Sequence, residues 1–137
     1  RPLFNQFEIP ALKQIKLKPS RELLDKLTKT LSKHKEIGKL NDFGLIYNGL
    51  IATGDIFISD KSKLENIKKI IPNLYAVEME GGAFAQVASQ EKIDWIILRV
   101  ISDDANDSAH NDFNKFLRDY KTKSWDLICA FLNSLYF

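Results

Sequence analysis

Leu23, Leu24, Leu27 and Leu31 recur at helical spacing behind Ser20, and Gly38 follows the run. Ser20 fits an N-cap and Gly38 a stop, so the pattern predicts an amphipathic helix between them. The preceding residues 1–19 contain prolines and alternate only weakly, which reads as partly extended or irregular chain. Residues 43–53, FGLIYNGLIAT, are long and apolar enough for a strand buried on both faces. Ser62 and Glu65 fit a capping box for a short helix carrying Leu64, Ile67 and Ile71, ended by Pro72. Residues 74–78 read as a second strand. Residues 81–92 read as a helix whose Gly82, Ala83, Ala85 and Ala88 allow close packing on a sheet. Residues 94–101, DWIILRVI, carry the strongest strand pattern of the three. After a polar loop at 102–111, Phe113, Phe116, Leu117, Tyr120, Ser124, Leu127, Ile128, Phe131 and Leu135 mark a long terminal helix.

Strands alternating with helices predict a mostly parallel α/β sheet with right-handed crossovers. Ligands bind at the carboxyl ends of the strands in such sheets. Three polar motifs fall at those ends: GDIFIS at 54–59, EMEGG at 78–82 and RVISDD at 99–104.

Composition narrows the chemistry. The 137 residues are 45% apolar and 28% charged, which excludes a disordered chain. No apolar stretch reaches the ~18 to 20 residues of a membrane span, so no membrane partner is expected. One cysteine, Cys129, excludes an internal disulfide framework and a Cys-rich zinc site. His34 and His110 are too few and too far apart for a histidine metal site, and Asp104, Asp107 and Asp112 lack EF-hand spacing. No metal is therefore expected. A net charge of +2 does not make a nucleic-acid binder. The chain begins at Arg1 with no basic and apolar leader, which predicts a cytoplasmic protein; whatever is encoded upstream leaves export open.

Each motif has a bland and a functional reading. Gly54-Asp55 is a turn leaving a strand, and Phe57 either a loop aromatic or a platform for a planar heterocycle. Glu80 is either a first-turn carboxylate in the field of a helix N-terminus or an acceptor for vicinal sugar hydroxyls. Gly81 and Gly82 would let backbone approach a ligand. Ser102-Asp103 fits an N-cap or Asx-turn. Arg99, among Ile97, Leu98 and Ile101, needs an anionic or polar partner, in a structural ion pair or in a site.

Taken in order, GLIATGDIFI, AVEMEGGAFA, ILRVISDDA and HNDF resemble the 5′-methylthioadenosine/S-adenosylhomocysteine nucleosidases of the nucleoside phosphorylase/nucleosidase superfamily. The likeness runs over nearly all of residues 44–137, and residues 1–43 fit the lead-in to the first motif. It implies the C-terminal half of a three-layer α/β/α fold with a mixed, mostly parallel sheet, in which residues 1–137 are one part of a single domain. It further implies hydrolysis of the N-glycosidic bond of adenine nucleosides, as in methionine salvage, with no cofactor and with a homodimer as the complete protein. Carried over by the motifs, Asp103 is the acid that protonates adenine N7, and Ser102 orients it. Phe57 stacks on the purine and the Ile58 backbone reads its Watson–Crick edge. Met79 packs beneath the ribose, Glu80 holds its 2′- and 3′-hydroxyls, and Phe113 covers the 5′-thioalkyl side. Arg99 helps position the attacking water. The family's general base and ribose loop have no counterpart here, so these 137 residues alone are expected to be inactive. Two alternatives stay open: a purine nucleoside phosphorylase, and a non-catalytic nucleotide-binding or interaction module of the same fold.

Overall fold

The computed structural model describes residues 5–56 (backbone alone at 42), 58, 60–102 and the backbone of 109–136, with side chains of that last stretch at 117, 120 and 124–136. Helix α1, Arg21–Glu36, begins where the sequence places it: the Ser20 hydroxyl accepts from the Leu23 N–H at 3.4 Å. Its end is a Schellman turn. Gly38 takes φ +77°, the Gly38 N–H donates to the Lys35 carbonyl at 3.0 Å, and the Lys39 N–H reaches back to the His34 carbonyl at 2.9 Å. Lys33 and Lys35 in the last turn set positive charge against the negative end of the helix dipole.

A 3-10 turn at Asn41–Phe43 leads to strand β1, Leu50–Thr53, much shorter than the strand expected over 43–53. Gly44 at φ +69° breaks the extension, and residues 44–49 form no ladder among the described residues. Helix α2, Lys61–Ile70, is capped differently from expectation. Asp60 is the N-cap, its carboxylate accepting from the Ser62 N–H at 2.8 Å, while Glu65 pairs with Lys68 at 3.3 Å. A carboxylate at the cap is the stronger acceptor and holds the helix start two residues before a box capped by Ser62. Strand β2, Leu74–Glu78, lies where the sequence reading places it. It pairs parallel with β1, Leu50 beside Leu74 and Thr53 beside Glu78, with an irregularity after Leu50 that leaves Tyr75 without an opposite residue. The Tyr75 ring fills the place of the missing Gly49 side chain: a Cβ there would lie 2.4 Å from it. Helix α3, Gly81–Gln90, and helix α4, Ala109–Tyr136, complete the order.

Residues 94–101 form no strand among the described residues, a correction to the sequence reading. An apolar run specifies burial; a strand also needs a neighbour to take its backbone hydrogen bonds. The side chains nonetheless alternate as a strand's would. Trp95 and Ile97 pack with Ala85 and Ala88 of α3, whereas Ile96 packs with Leu27, Leu31, Leu40 and Leu127 between α1 and α4. The segment thus separates two apolar clusters. The Trp95 carbonyl accepts from the Ser20 N–H at 3.0 Å and its indole N–H donates to Ser89 at 3.0 Å, so it is tied to both helices.

Candidate active site

The parallel pair delivers Thr53 and Glu78 side by side at its carboxyl end, because register partners project to the same face. Helix α3 starts three residues beyond Glu78, with Glu80 at its N-cap position. The Glu80 side chain makes no capping bond. Glu78 caps the helix from the strand instead: its Oε2 accepts from the Gly81 N–H at 2.6 Å and the Glu80 N–H at 3.1 Å. Thr53 donates its hydroxyl proton to Glu78 Oε1 and accepts from the Gly82 N–H at 2.7 Å. The α3 N-terminus is thereby satisfied by one carboxylate and one hydroxyl, each fixed by a strand.

Arg99 closes the arrangement. Its Nη2 donates to Glu78 and, at 3.0 Å, to Glu80 Oε2. The side chains differ sharply in exposure: 8% for Glu78, 37% for Arg99 and 74% for Glu80. Burial alone would raise the Glu78 pKa; the Thr53 hydroxyl, the two helix N–H groups and the Arg99 charge outweigh it and hold the carboxyl below its usual range. Burial works against the Arg99 charge as well, and the two carboxylates overcome it, raising the guanidinium pKa. Glu78 is therefore a fixed anion with its hydrogen-bonding capacity committed inward. Glu80 faces solvent, aimed by a cation that is itself held from behind.

The glycines of EMEGG follow from this packing. A Cβ on Gly81 would lie 3.0 Å from both Glu78 carboxylate oxygens, and one on Gly82 would lie 2.7 Å from the Thr53 oxygen. A cavity of about 1490 Å³ opens here, and Thr53, Asp55, Glu78, Met79, Arg99 and Ile101 are among its lining residues. It exceeds the ~300 to 1,000 Å³ common for small-molecule sites and continues along the face of α1.

Of the residues singled out in the sequence, Glu80 and Arg99 are brought into direct contact; Arg99 and Met79 line the cavity, and Glu80 lies outside its lining. Ile58 and Ser102 are half-buried and lie outside that lining. Phe57 and Asp103 lie outside the described residues, as does the side chain of Phe113, whose backbone belongs to α4. Two residues at the centre, Glu78 and Thr53, carried no role in the sequence reading. Their signal was positional: each ends a strand, and each is followed within a few residues by glycine.

The sequence model of the phosphorylase superfamily matches residues 3–133. The chain belongs to that superfamily. Within it, the 5′-methylthioadenosine/S-adenosylhomocysteine nucleosidase of Bacillus cereus strain B4264 is 40% identical over 90 residues, which make up 66% of this chain and 39% of that protein. The solved nucleosidase of S. pneumoniae with a transition-state inhibitor superposes with a TM-score of 0.73 at 32% identity, covering 91% of this chain and 51% of that one. The nucleosidase of Colwellia psychrerythraea in complex with adenine gives a TM-score of 0.74 at 26% identity, covering 93% of this chain and 50% of that one. The chain thus has the nucleoside phosphorylase-like fold and spans about half the length of the solved nucleosidases it matches. Among the described residues no helix is long and apolar enough to cross a membrane.

Proposed function

We propose that this chain is the purine- and ribose-binding part of an adenosyl nucleosidase. The complete protein would hydrolyse the N-glycosidic bond of 5′-methylthioadenosine and S-adenosylhomocysteine, as in methionine salvage, releasing adenine and a thioribose sugar. The observation that carries the reading is the Glu78–Arg99–Glu80 arrangement at the carboxyl ends of the strands. It presents one exposed, oriented carboxylate, suited to accepting two hydroxyl protons from a vicinal diol. The likeness to nucleosidases solved with adenine and with a transition-state inhibitor supports the choice of substrate.

In this mechanism Glu80 holds the 2′- and 3′-hydroxyls and Met79 packs beneath the sugar. Phe57 stacks on the purine, the Ile58 backbone reads its edge, and Phe113 covers the 5′-thioalkyl group. The C1′–N9 bond breaks with its electron pair passing to the purine, while the Asp103 carboxylic acid, oriented by Ser102, gives its proton to N7. The ordinary Asp pKa is ~3.9, so the acid role requires the bound purine or desolvation to raise it. Water positioned by Arg99 adds to the ribosyl cation and loses its proton to a base supplied from outside these 137 residues. Residues 1–137 then form the C-terminal part of one domain of a cytoplasmic homodimer.

The superfamily match favours one second reading, phosphorolysis with the same purine-activating acid. Product analysis on the complete protein separates the two. Incubated with 5′-methylthioadenosine, the nucleosidase yields adenine and free thioribose at a rate indifferent to phosphate. A sugar 1-phosphate formed only when phosphate is present would establish the phosphorylase, and no adenine under either condition would refute both.

A further inference from the structure

Thr53 belongs to none of the roles described above, yet its hydroxyl joins three elements. It leaves β1, donates to the Glu78 carboxylate on β2 and accepts the Gly82 N–H in the first turn of α3. Glu78 in turn grips Arg99, and Arg99 grips Glu80. The Thr53 oxygen is therefore the first link of a chain ending at the exposed carboxylate, and each link has a definite direction of donation. A hydroxyl has one proton and two acceptor lone pairs, and here the proton and one lone pair are both engaged.

We infer that Thr53 is a positioning residue for riboside recognition, acting through Glu78 and Arg99 to set the orientation of Glu80. This rests on the nucleosidase reading, in which Glu80 meets the sugar. Without the hydroxyl, Glu78 Oε1 and the Gly82 N–H both lose their partner. The carboxylate is then free to rotate toward Arg99, the charged group that faces it, and the Arg99 contact with Glu80 shifts with it. The purine contacts assigned to Phe57 and Ile58 do not depend on this chain of bonds.

The test uses the complete protein with Thr53→Val, an isosteric change, Thr53→Ala, which introduces no new bulk, and Thr53→Ser, which keeps the hydroxyl. Binding of 5′-methylthioadenosine and of free adenine is measured for each, alongside a carbon-13 NMR titration of the Glu78 carboxyl. Valine and alanine are expected to weaken riboside binding roughly tenfold, the scale of one hydrogen bond to a charged group, and to leave adenine within about twofold. Serine is expected to restore the riboside, and the Glu78 midpoint is expected to rise in valine and alanine but not in serine. Unchanged riboside binding in folded Thr53→Val or Thr53→Ala overturns the inference, as does an equal loss for adenine or a failure of serine to restore. Should the unaltered protein bind no adenine riboside, the nucleosidase reading fails, and the titration decides alone: a raised midpoint upholds the positioning of Glu78, and an unmoved one overturns it.

Discussion

Glu78 and Glu80 are chemically identical and two positions apart, and the fold gives them opposite tasks. Glu78 is turned inward and satisfied by Thr53, the helix N–H groups and Arg99. Glu80 is turned outward with Arg99 behind it. Glu80→Gln in the complete protein is therefore expected to weaken riboside binding by roughly tenfold to hundredfold while sparing free adenine, since only the riboside offers hydroxyl protons. Equal weakening in a titration of both ligands would make Glu80 structural. Glu78 shapes the acid response instead. Its folded pKa lies below the ordinary value of 4.5, so its contribution to stability is present above that value and lost as pH falls through the folded one. Glu78→Gln cannot titrate, and its stability is expected to decline less than the parent's between about pH 6 and pH 3 in urea denaturation. Parallel declines would remove Glu78 from the acid response. Glu80 and Arg99 stood out in the sequence because both sit in motifs at expected strand ends, and the structure brings the two into contact. The sequence left Glu78 and Thr53 unread, because adjacency across a parallel ladder is fixed by register, which no local pattern records.

At the scale of elements, the helices were the legible part. Ser20 and Gly38 announce the two ends of α1 through capping chemistry, and the Schellman turn uses both the glycine and its φ of +77°. Strand β2 was equally plain, whereas residues 43–49 and 94–101 are apolar without a ladder partner among the described residues, and their apolar pattern overstated them as strands. The start of α3 is where packing overrides propensity. Alanine normally favours a helix over glycine by up to ~1 kcal/mol. At Gly82 a Cβ would stand 2.7 Å from the Thr53 oxygen and 2.8 Å from its Cβ. Gly82→Ala is therefore expected to destabilise the protein by ~1 to 3 kcal/mol, the range for overpacking. Gly54→Ala, with nothing within 4 Å, serves as the control and is expected to stay within ~0.5 kcal/mol. Urea denaturation of both variants checks the contrast, and an unchanged Gly82→Ala would mean that β1 and α3 are less closely engaged than the hydrogen bonds indicate.

For the molecule as a whole, the carboxyl end of the sheet is well tied, while its flank is apolar and open. Leu45 is 70% exposed and Tyr47 64%, and Tyr75 beside them is also exposed. Monomers seldom leave contiguous apolar surface of this kind in water, and a two-stranded sheet has unpaired edges. The 137-residue chain on its own is expected to self-associate through this flank, with sedimentation showing mass above 15.7 kDa and Tyr47→Lys lowering it. A monodisperse species at the chain mass would show the flank to be tolerated in water. The interior has the opposite character. Residues 95–97 send side chains alternately into both apolar clusters, so one short stretch of backbone is common property of the two. Trp95 on that stretch is 9% exposed, whereas Trp125 is 68% exposed. The pair makes an internal optical gauge: Trp125 emits as an indole already in water, and any red shift on denaturation is Trp95 leaving the seam. Loosening either cluster should move that emission together with the far-ultraviolet dichroism of the helices, in one cooperative transition.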